Sequence, residues 1–184
     1  MKILIVSGFL GAGKTTFIKR LARNVDQRFA ILENEYGAAG IDGARLGQNR
    51  QGTQKNVWEM TEQCICCIGK KDFAASVLTI ANVVDPEYLI VEPTGVGSLA
   101  RIIENLRQIE YERIQLLSPV TIVDVYSYRR YMAEYPELYQ DQIRSADTII
   151  VSKTEACQAE EKQRIQKFLQ EINPQAKIIT DYAS

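Results

Sequence analysis

The chain has 184 residues, of which 46% are hydrophobic, and this is enough to bury one substantial core and predicts a single domain over residues 1–184. Its 22 Lys and Arg are balanced by 23 Asp and Glu, which argues against a nucleic-acid-binding surface and a polybasic membrane anchor. The sequence contains no histidine, which excludes serine and cysteine triads with a histidine base and the histidine-containing zinc protease signature. Any metal site must therefore use sulfur and oxygen ligands.

Short apolar runs recur along the chain, and each is followed by a turn and a longer amphipathic stretch. The predicted strands are residues 2–6, 29–32, 88–91, 120–123, 148–151 and 177–179. The predicted helices, with apolar residues at three- and four-residue spacing, are residues 15–24, 73–83, 98–108 and 160–171. This alternation predicts an α/β fold with a mostly parallel sheet and helices on both faces. The glycine-rich stretch 38–55 is predicted to be a mobile segment or a crossing loop.

The first apolar run, residues 3–6, is too short for a signal-peptide core or a membrane span. The protein is therefore predicted to be cytoplasmic and to have no membrane partner, and the charge balance predicts no nucleic-acid partner. In a reducing cytosol the four cysteines indicate metal ligands or redox thiols before they indicate a disulfide framework.

The first predicted strand leads directly into GFLGAGKTT at residues 8–16, which matches the Walker A spacing between a strand and a helix. Glycines let backbone N–H groups turn towards phosphates, and the helix N-terminus adds the positive end of its dipole. We expect Lys14 to reach the β and γ phosphates, the Thr15 hydroxyl to ligate Mg²⁺, and Thr16 to contact the α phosphate. The predicted nucleotide contacts here are Gly11, Ala12, Gly13, Lys14, Thr15 and Thr16. The pattern predicts the three-layer P-loop NTPase fold, and a glycine-rich turn without a ligand is the alternative.

A second phosphate-side element follows the apolar run that ends at residue 91. Glu92 stands at the carboxyl end of that predicted strand, and Pro-Thr-Gly then turns the chain. We expect Glu92 to hold Mg²⁺, through water, and the N–H of Gly95 to meet the γ phosphate. Glu92 as an ordinary exposed strand-end residue is the alternative.

The sequence SKTE at residues 152–155 lies where GTPases carry Asn-Lys-x-Asp. We expect Glu155 to accept the two N–H donors of guanine and the stem of Lys153 to pack on the ring, so that adenine is rejected. Ser152 stands in place of the Asn that ties this loop together, and Glu155 is one methylene longer than Asp. GTP is therefore predicted, with relaxed base specificity as an alternative. The same residues are also typical of a helix-capping sequence.

Three thiols fall within residues 64–67, at Cys64, Cys66 and Cys67. Three thiolates cannot complete a closed structural zinc site alone, so a fourth ligand comes from elsewhere or the site stays open for metal transfer. Soft thiolates with a carboxylate fit Zn²⁺ and Co²⁺, whereas the affinity order alone would favour copper. Three half-buried cysteines without a metal are the alternative.

Taken together, GFLGAGKTT, ENEYGAAGID, CICC, VEPTG and SKTE resemble the CobW-like metallochaperone GTPases, and the resemblance spans nearly the whole chain. The Cys-x-Cys-Cys motif separates this branch from the nickel-insertion GTPases of the UreG and HypB type. The resemblance implies a cytoplasmic Mg²⁺-dependent GTPase that delivers Zn²⁺ or Co²⁺ to a client protein or cofactor pathway. It also implies that Glu33 is a metal ligand facing Cys66 and Cys67, and that Glu35 and Asp42 are switch I carboxylates.

Several positions depart from the family pattern: Tyr36 for Phe, Ala38 for an acidic residue, Glu62-Gln63 for Asn-Gly, and Ser98 for Asp. The family's C-terminal domain has no counterpart in residues 1–184, which indicates a stand-alone GTPase domain or a truncated chain. Without histidine, a switch carboxylate or a residue donated across a nucleotide-dependent homodimer must position the attacking water, and Asp42 is the residue predicted for it. The predicted catalytic set is therefore Lys14, Asp42 and Glu92.

Two other interpretations remain open at this stage. One is a metal-binding module whose nucleotide site tunes metal affinity with negligible hydrolysis. The other is a small-molecule kinase, which would keep the P-loop but would need a substrate pocket and no cysteine cluster.

Overall fold

The computed structural model describes residues 1–24, 27–33, 57–61 and 70–181. The strands are β1 (Lys2–Gly8), β2 (Phe29–Glu33), β3 (Val57–Thr61), β4 (Tyr88–Glu92), β5 (Gln115–Leu116), β6 (Val120–Asp124), β7 (Thr148–Ser152) and β8 (Lys177–Ile179). The helices are α1 (Lys14–Asn24), α2 (Lys70–Val83), α3 (Leu99–Arg107), α4 (Tyr128–Glu134), α5 (Pro136–Arg144) and α6 (Ala159–Ile172). Of the helices in these ranges, none combines the length and the apolar composition that crossing a membrane requires.

The strands form one sheet in the order β3-β2-β4-β1-β6-β7-β8, and the short β5 also pairs with β1. Every pairing between these strands is parallel. The chain leaves the central β1 for one half of the sheet and later crosses back, past β1, to the other half. Ligands in such sheets bind at the carboxyl ends of the strands where the order reverses, which here is the end of β1.

Alternate residues of β1 pack into different layers, because successive side chains of a strand point to opposite faces. Ile3 and Ile5 belong to the larger buried cluster, to which α2, α3, α5 and α6 contribute. Val6 belongs to the smaller one, with Ile18 and Ala22 of α1. A parallel sheet covered on both faces explains why its strands are continuous apolar runs. The predicted three-layer α/β fold is confirmed.

All the predicted strands and helices are present, with ends shifted by a few residues. In β1, β2, β4, β6 and β7 the paired segment extends beyond the apolar run, because polar residues at a strand's end still complete the backbone ladder. Glu92, Asp124 and Ser152 are such residues, and each is the last of its strand. The extensions therefore bring polar side chains to one edge of the sheet.

The sequence patterns do not predict β3, β5, α4 and α5. The two helices escape detection because tyrosine and glutamine make up most of their buried faces: α4 buries Tyr128, and α5 buries Tyr139 and Gln142 with a single aliphatic residue, Ile143. Three- and four-residue spacing of aliphatic residues is therefore missing. The glycine-rich stretch 38–55 lies outside the described residues.

Two neighbouring hydroxyls on β1 and β6 differ in their bonding. Ser7 and Thr121 are partners in the β1–β6 register, and both are buried. The Thr121 hydroxyl donates to the carbonyl of Gln142 at 2.9 Å. The Ser7 hydroxyl finds no hydrogen-bond partner in the part of the chain that the structure describes.

We expect Thr121→Val to lower the free energy of unfolding by about 1–3 kcal/mol, because it leaves a buried carbonyl without its donor. Ser7→Ala should change it much less, or raise it, because the deleted hydroxyl has no partner. Urea denaturation of the two variants and the parent protein measures both values. Equal losses in the two variants would contradict this reading.

Candidate functional site

The loop at residues 9–13 joins the end of β1 to α1, and glycine is needed at its bends. Gly8, Gly11 and Gly13 have φ angles of 146°, 73° and 99°, a region that residues with a side chain rarely adopt. A Cβ on Gly8 would also lie 2.5 Å from the carbonyl oxygen of Ile122 on β6. The loop thus brings the N-terminus of α1 to the carboxyl end of the central strand, where backbone N–H groups and the helix dipole favour an anion.

Three side chains predicted at the phosphate site lie together at this point. The Thr15 hydroxyl donates to Glu92 Oε1 at 3.2 Å, and Lys14 Nζ lies 4.0 Å from the same oxygen. Only 9% of the Lys14 side chain is exposed. Burial lowers the pKa of Lys14, and the charge of Glu92 partly opposes this shift. Thr16 lies exposed in the first turn of α1.

This group of side chains fits a Mg²⁺-bound triphosphate. A hydroxyl and a carboxylate within hydrogen-bond distance of each other are the oxygen ligands that Mg²⁺ takes, and the adjacent ammonium provides the charge that phosphates need. Because the ammonium is buried and only loosely paired, a bound anion would stabilise its charged form.

The turn after β4 lies directly against the loop at residues 9–13. A Cβ on Gly95 would lie 2.6 Å from the amide nitrogen of Leu10 and 3.0 Å from the carbonyl carbon of Phe9, so a side chain does not fit here. Ser98, which departs from the family's Asp, is the N-cap of α3, and its Oγ accepts a hydrogen bond from the amide of Arg101 at 3.3 Å. Ser and Asp are both good N-caps, so Ser98 can cap α3 as the family's Asp would.

The loop after β7 is tied to the same place. The Ser152 hydroxyl donates to the carbonyl of Ala12 at 2.6 Å and approaches the carbonyl of Val123 at 3.4 Å. Ser152 therefore links the two loops, although it is shorter than the Asn that it replaces. Glu155 lies exposed in the following turn.

Lys153 is held by a residue that sequence reasoning missed. Lys153 has a φ of 61°, and its Nζ lies 2.8 Å from Oδ2 of the buried Asp124 at the end of β6. Burial would raise the pKa of Asp124, but hydrogen bonds from Lys153, the Tyr126 amide and Ser127 together bring it below its usual value. The signal in the sequence was an acidic residue at the end of an apolar run, the same signal that identified Glu92.

A cluster of aromatic rings supports the loop at residues 9–13 from the side of α4 and α5. The ring of Phe9 lies 4.8 Å from that of Tyr131 and 4.9 Å from that of Tyr139. The Tyr131 hydroxyl also donates to the carbonyl of Leu10 at 2.9 Å. No sequence motif marks these tyrosines.

Part of the predicted site cannot be located. The predicted residues outside the described ranges are Glu35, Asp42, Cys64, Cys66 and Cys67. Glu33 is the last residue of β2 and pairs in register with Glu92, but only its backbone is described. Within the described ranges, no group of three or more Cys, Asp or Glu side chains is arranged to hold a metal ion.

The family model described as "CobW/HypB/UreG, nucleotide-binding domain" matches residues 2–180. The chain belongs to this family. It is 31% identical over 170 residues to the zinc chaperone YeiR of Escherichia coli (strain K12), an alignment that covers 91% of this chain and 51% of that protein. The chain thus spans about half the length of this relative. The resemblance derived from the motifs is confirmed at the level of the family.

Solved structures share the fold. The Zn(II)-bound YjiA GTPase from E. coli matches with a TM-score of 0.74 at 22% identity, covering 100% of this chain and 58% of that one. HypB from Helicobacter pylori in complex with nickel matches with a TM-score of 0.63 at 18% identity, covering 96% and 76%. Both likenesses agree with the P-loop fold.

We expect Lys14→Ala to abolish binding of nucleoside triphosphate, because it removes the buried ammonium beside Thr15 and Glu92. Isothermal calorimetry with the Mg²⁺–GTP complex measures the loss. Lys19→Ala, which changes an exposed lysine on the same helix, serves as the matched control and should bind like the parent protein. Unchanged affinity in Lys14→Ala would remove the basis of the phosphate site.

Proposed function

We propose that residues 1–184 form one GTPase domain of a metallochaperone, which binds and hydrolyses GTP and carries a transition metal for delivery to a client. The observation that carries the proposal is that Lys14, Thr15 and Glu92 meet at the end of β1. Lys14 Nζ lies 4.0 Å and the Thr15 hydroxyl 3.2 Å from the same oxygen of Glu92, Oε1. Membership of the CobW/HypB/UreG nucleotide-binding family supports it.

The triphosphate would occupy the loop at residues 9–13. The backbone of Gly11, Ala12 and Gly13 would bind its oxygens, Lys14 would meet the β and γ phosphates, and Thr16 would meet the α phosphate. Thr15 and Glu92 would hold Mg²⁺, which when bound neutralises charge on the β and γ phosphates.

Guanine would be read by the loop after β7. The hydrogen bond from Ser152 to Ala12 supports this role, because it fixes the loop after β7 relative to the loop at residues 9–13, called the phosphate loop below. The ion pair with Asp124 holds the end of Lys153 and leaves its aliphatic stem to cover one face of the ring. Glu155 would accept the two guanine N–H donors, and adenine would leave its carboxylate unpaired.

Hydrolysis would proceed by in-line attack of water on the γ phosphorus, with the bond to the β–γ bridging oxygen breaking to give GDP and phosphate. Lys14 would stabilise the developing charge, the N–H of Gly95 would bind a γ oxygen, and the role of Glu92 would be to hold Mg²⁺ beside the phosphates. Asp42 would position the water, or a residue from a second copy would do so in a nucleotide-dependent homodimer. This part rests on the family resemblance and on the lack of histidine.

The cargo site would consist of Cys64, Cys66, Cys67 and Glu33. Thiolates with a carboxylate suit Zn²⁺ and Co²⁺. Zinc is favoured because YeiR bears the name zinc chaperone and the YjiA structure contains Zn(II). The client would be a cytoplasmic metalloprotein or cofactor-synthesis enzyme.

GTP should bind at least about tenfold more tightly than ATP, a difference of about 1.4 kcal/mol that one correctly paired carboxylate can supply. Glu155→Asp should widen the gap because it restores the shorter side chain of the GTPase pattern. Competition binding with fluorescent nucleotides measures both affinities, and Glu160→Asp, at an exposed position of α6, is the control. Equal affinities for GTP and ATP would show that Glu155 does not read the base.

Metal and GTP should be coupled through the segment 33–42, which begins at a proposed metal ligand and ends at a proposed switch carboxylate. If the γ phosphate and Mg²⁺ order this segment, the triphosphate state binds metal more tightly than the diphosphate state. Linkage requires metal to favour GTP over GDP by the same factor, which for typical couplings is about 5- to 150-fold. Hydrolysis would then loosen the metal for delivery.

The measurement is a Zn²⁺ titration against a competing chelator with a non-hydrolysable GTP analogue, with GDP and without nucleotide. Cys66→Ser and Cys67→Ser should weaken metal binding, whereas Cys157→Ser, outside the motif, should not. Identical metal affinities in all three nucleotide states would show that the metal site and the nucleotide site are not coupled. GTP turnover with and without Zn²⁺ then tests whether hydrolysis responds to cargo.

A further inference from the structure

Two consecutive residues of α5 contact the backbone between the end of β4 and the start of α3. The side-chain amide of Gln142 donates to the carbonyls of Gly95 at 3.1 Å and Gly97 at 3.0 Å. The carboxylate of Asp141 accepts from the amide of Leu99 at 2.7 Å. Helix α5 therefore donates hydrogen bonds to carbonyls of the turn and accepts one from the amide at the start of α3.

Gln142 is an unusual residue to find in a core, since only 1% of it is exposed. Both of its side-chain partners are carbonyl oxygens, so the amide must present its N–H end to them. Its own backbone carbonyl accepts the hydrogen bond from Thr121 on β6. Ile143, the next residue, is fully buried. The position of Gln142 is therefore fixed by the packing of α5 in the core and by the bond from Thr121, and not by the turn.

The turn that Gln142 holds is the one proposed to meet the γ phosphate. The amide of Gly97 donates to the carbonyl of Thr94 at 2.9 Å, which closes the turn, and Gly95 lies against the backbone of Leu10. The carbonyls of Gly95 and Gly97 share their peptide planes with the amides of residues 96 and 98, and Gln142 fixes both planes. The N–H of Gly95 belongs to the preceding plane, whose Thr94 carbonyl accepts from Gly97, so the peptide planes on both sides of Gly95 are restrained.

We propose that Gln142 is a positioning residue that sets the turn at residues 94–97 for recognition of the γ phosphate, and that it thereby contributes to discrimination between the triphosphate and the diphosphate. This inference rests on the proposed GTP site. GDP has no γ phosphate to contact the turn, so its affinity should depend on Gln142 much less than that of the triphosphate. The α4 and α5 segment also contacts the phosphate loop through Tyr131, and Gln142 extends that support to the second loop.

The test compares the affinities of a non-hydrolysable GTP analogue and GDP, both with Mg²⁺, in the full chain. Gln142→Met keeps the length of the side chain and removes both donors. We expect it to weaken binding of the GTP analogue by about tenfold or more while GDP binding stays within about twofold. In turnover measurements, kcat/KM for GTP should fall, and inhibition by GDP should be unchanged.

Asp141→Asn is the matched control, because it alters the neighbouring residue and keeps an oxygen for the amide of Leu99. Its ratio of GTP-analogue to GDP affinity should equal that of the parent protein. Circular dichroism shows whether Gln142→Met folds. If it does not, the ratio of GTP-analogue to GDP affinity is measured in Gln142→Asn instead, because the Asn amide is one methylene too short to reach both carbonyls.

An unchanged ratio in the folded Gln142 variant, or an equal loss of both nucleotides, would overturn the inference and leave Gln142 as a structural residue. Failure of the proposed function looks different. In that case the parent protein itself would bind neither the GTP analogue nor GDP, whereas failure of the inference alone leaves the parent protein's nucleotide binding intact.

Discussion

The parallel pairing of β4 with β1 determines where the rest of the site can be. Because β4 is inserted between β1 and β2, its carboxyl end lies beside the start of α1, and Glu92 comes within 3.2 Å of the Thr15 hydroxyl. The crossover to β6 then places Asp124 and Ser152 on the other side of the same loop. These elements pack closely at Gly8 and Gly95, and a Cβ at either would push them apart.

Two lysines at this edge are paired very differently, and the difference fits their proposed roles. Lys153 Nζ lies 2.8 Å from Asp124, a distance that makes a charge-assisted hydrogen bond. Lys14 Nζ lies 4.0 Å from Glu92, which is Coulombic contact without a hydrogen bond, in a more buried place. Lys14 can therefore donate hydrogen bonds to phosphate oxygens without breaking one to Glu92, whereas Lys153 is held in place as part of the loop.

The residues that could be predicted from the sequence are those whose signal is local. The strands were apolar runs, and the loops after β1 and β7 were contiguous motifs at strand ends. Lys14, Glu92, Gly95 and Ser152 could therefore be named from the sequence, and the structure places them at the carboxyl ends of the strands, whereas their roles stay predictions. Gln142 and Tyr131 could not be found this way. The hydrogen bonds from Gln142 to Gly95 and from Tyr131 to Leu10 join residues that are 47 and 121 positions apart in the sequence. The spacing of residues in a short helix does not indicate that its glutamine or tyrosine has such a distant partner. Asp42 and the three motif cysteines stay predictions.

The phosphate loop is restrained from three directions: Tyr131 holds the carbonyl of Leu10, Ser152 holds that of Ala12, and the Gly95 turn packs against its backbone. A loop fixed by contacts within the protein loses its conformational entropy on folding rather than on ligand binding. Nucleotide association then requires no slow closure of this loop. The rate of capture would be governed by diffusion and orientation, and differences in affinity between nucleotides would appear mainly in their residence times.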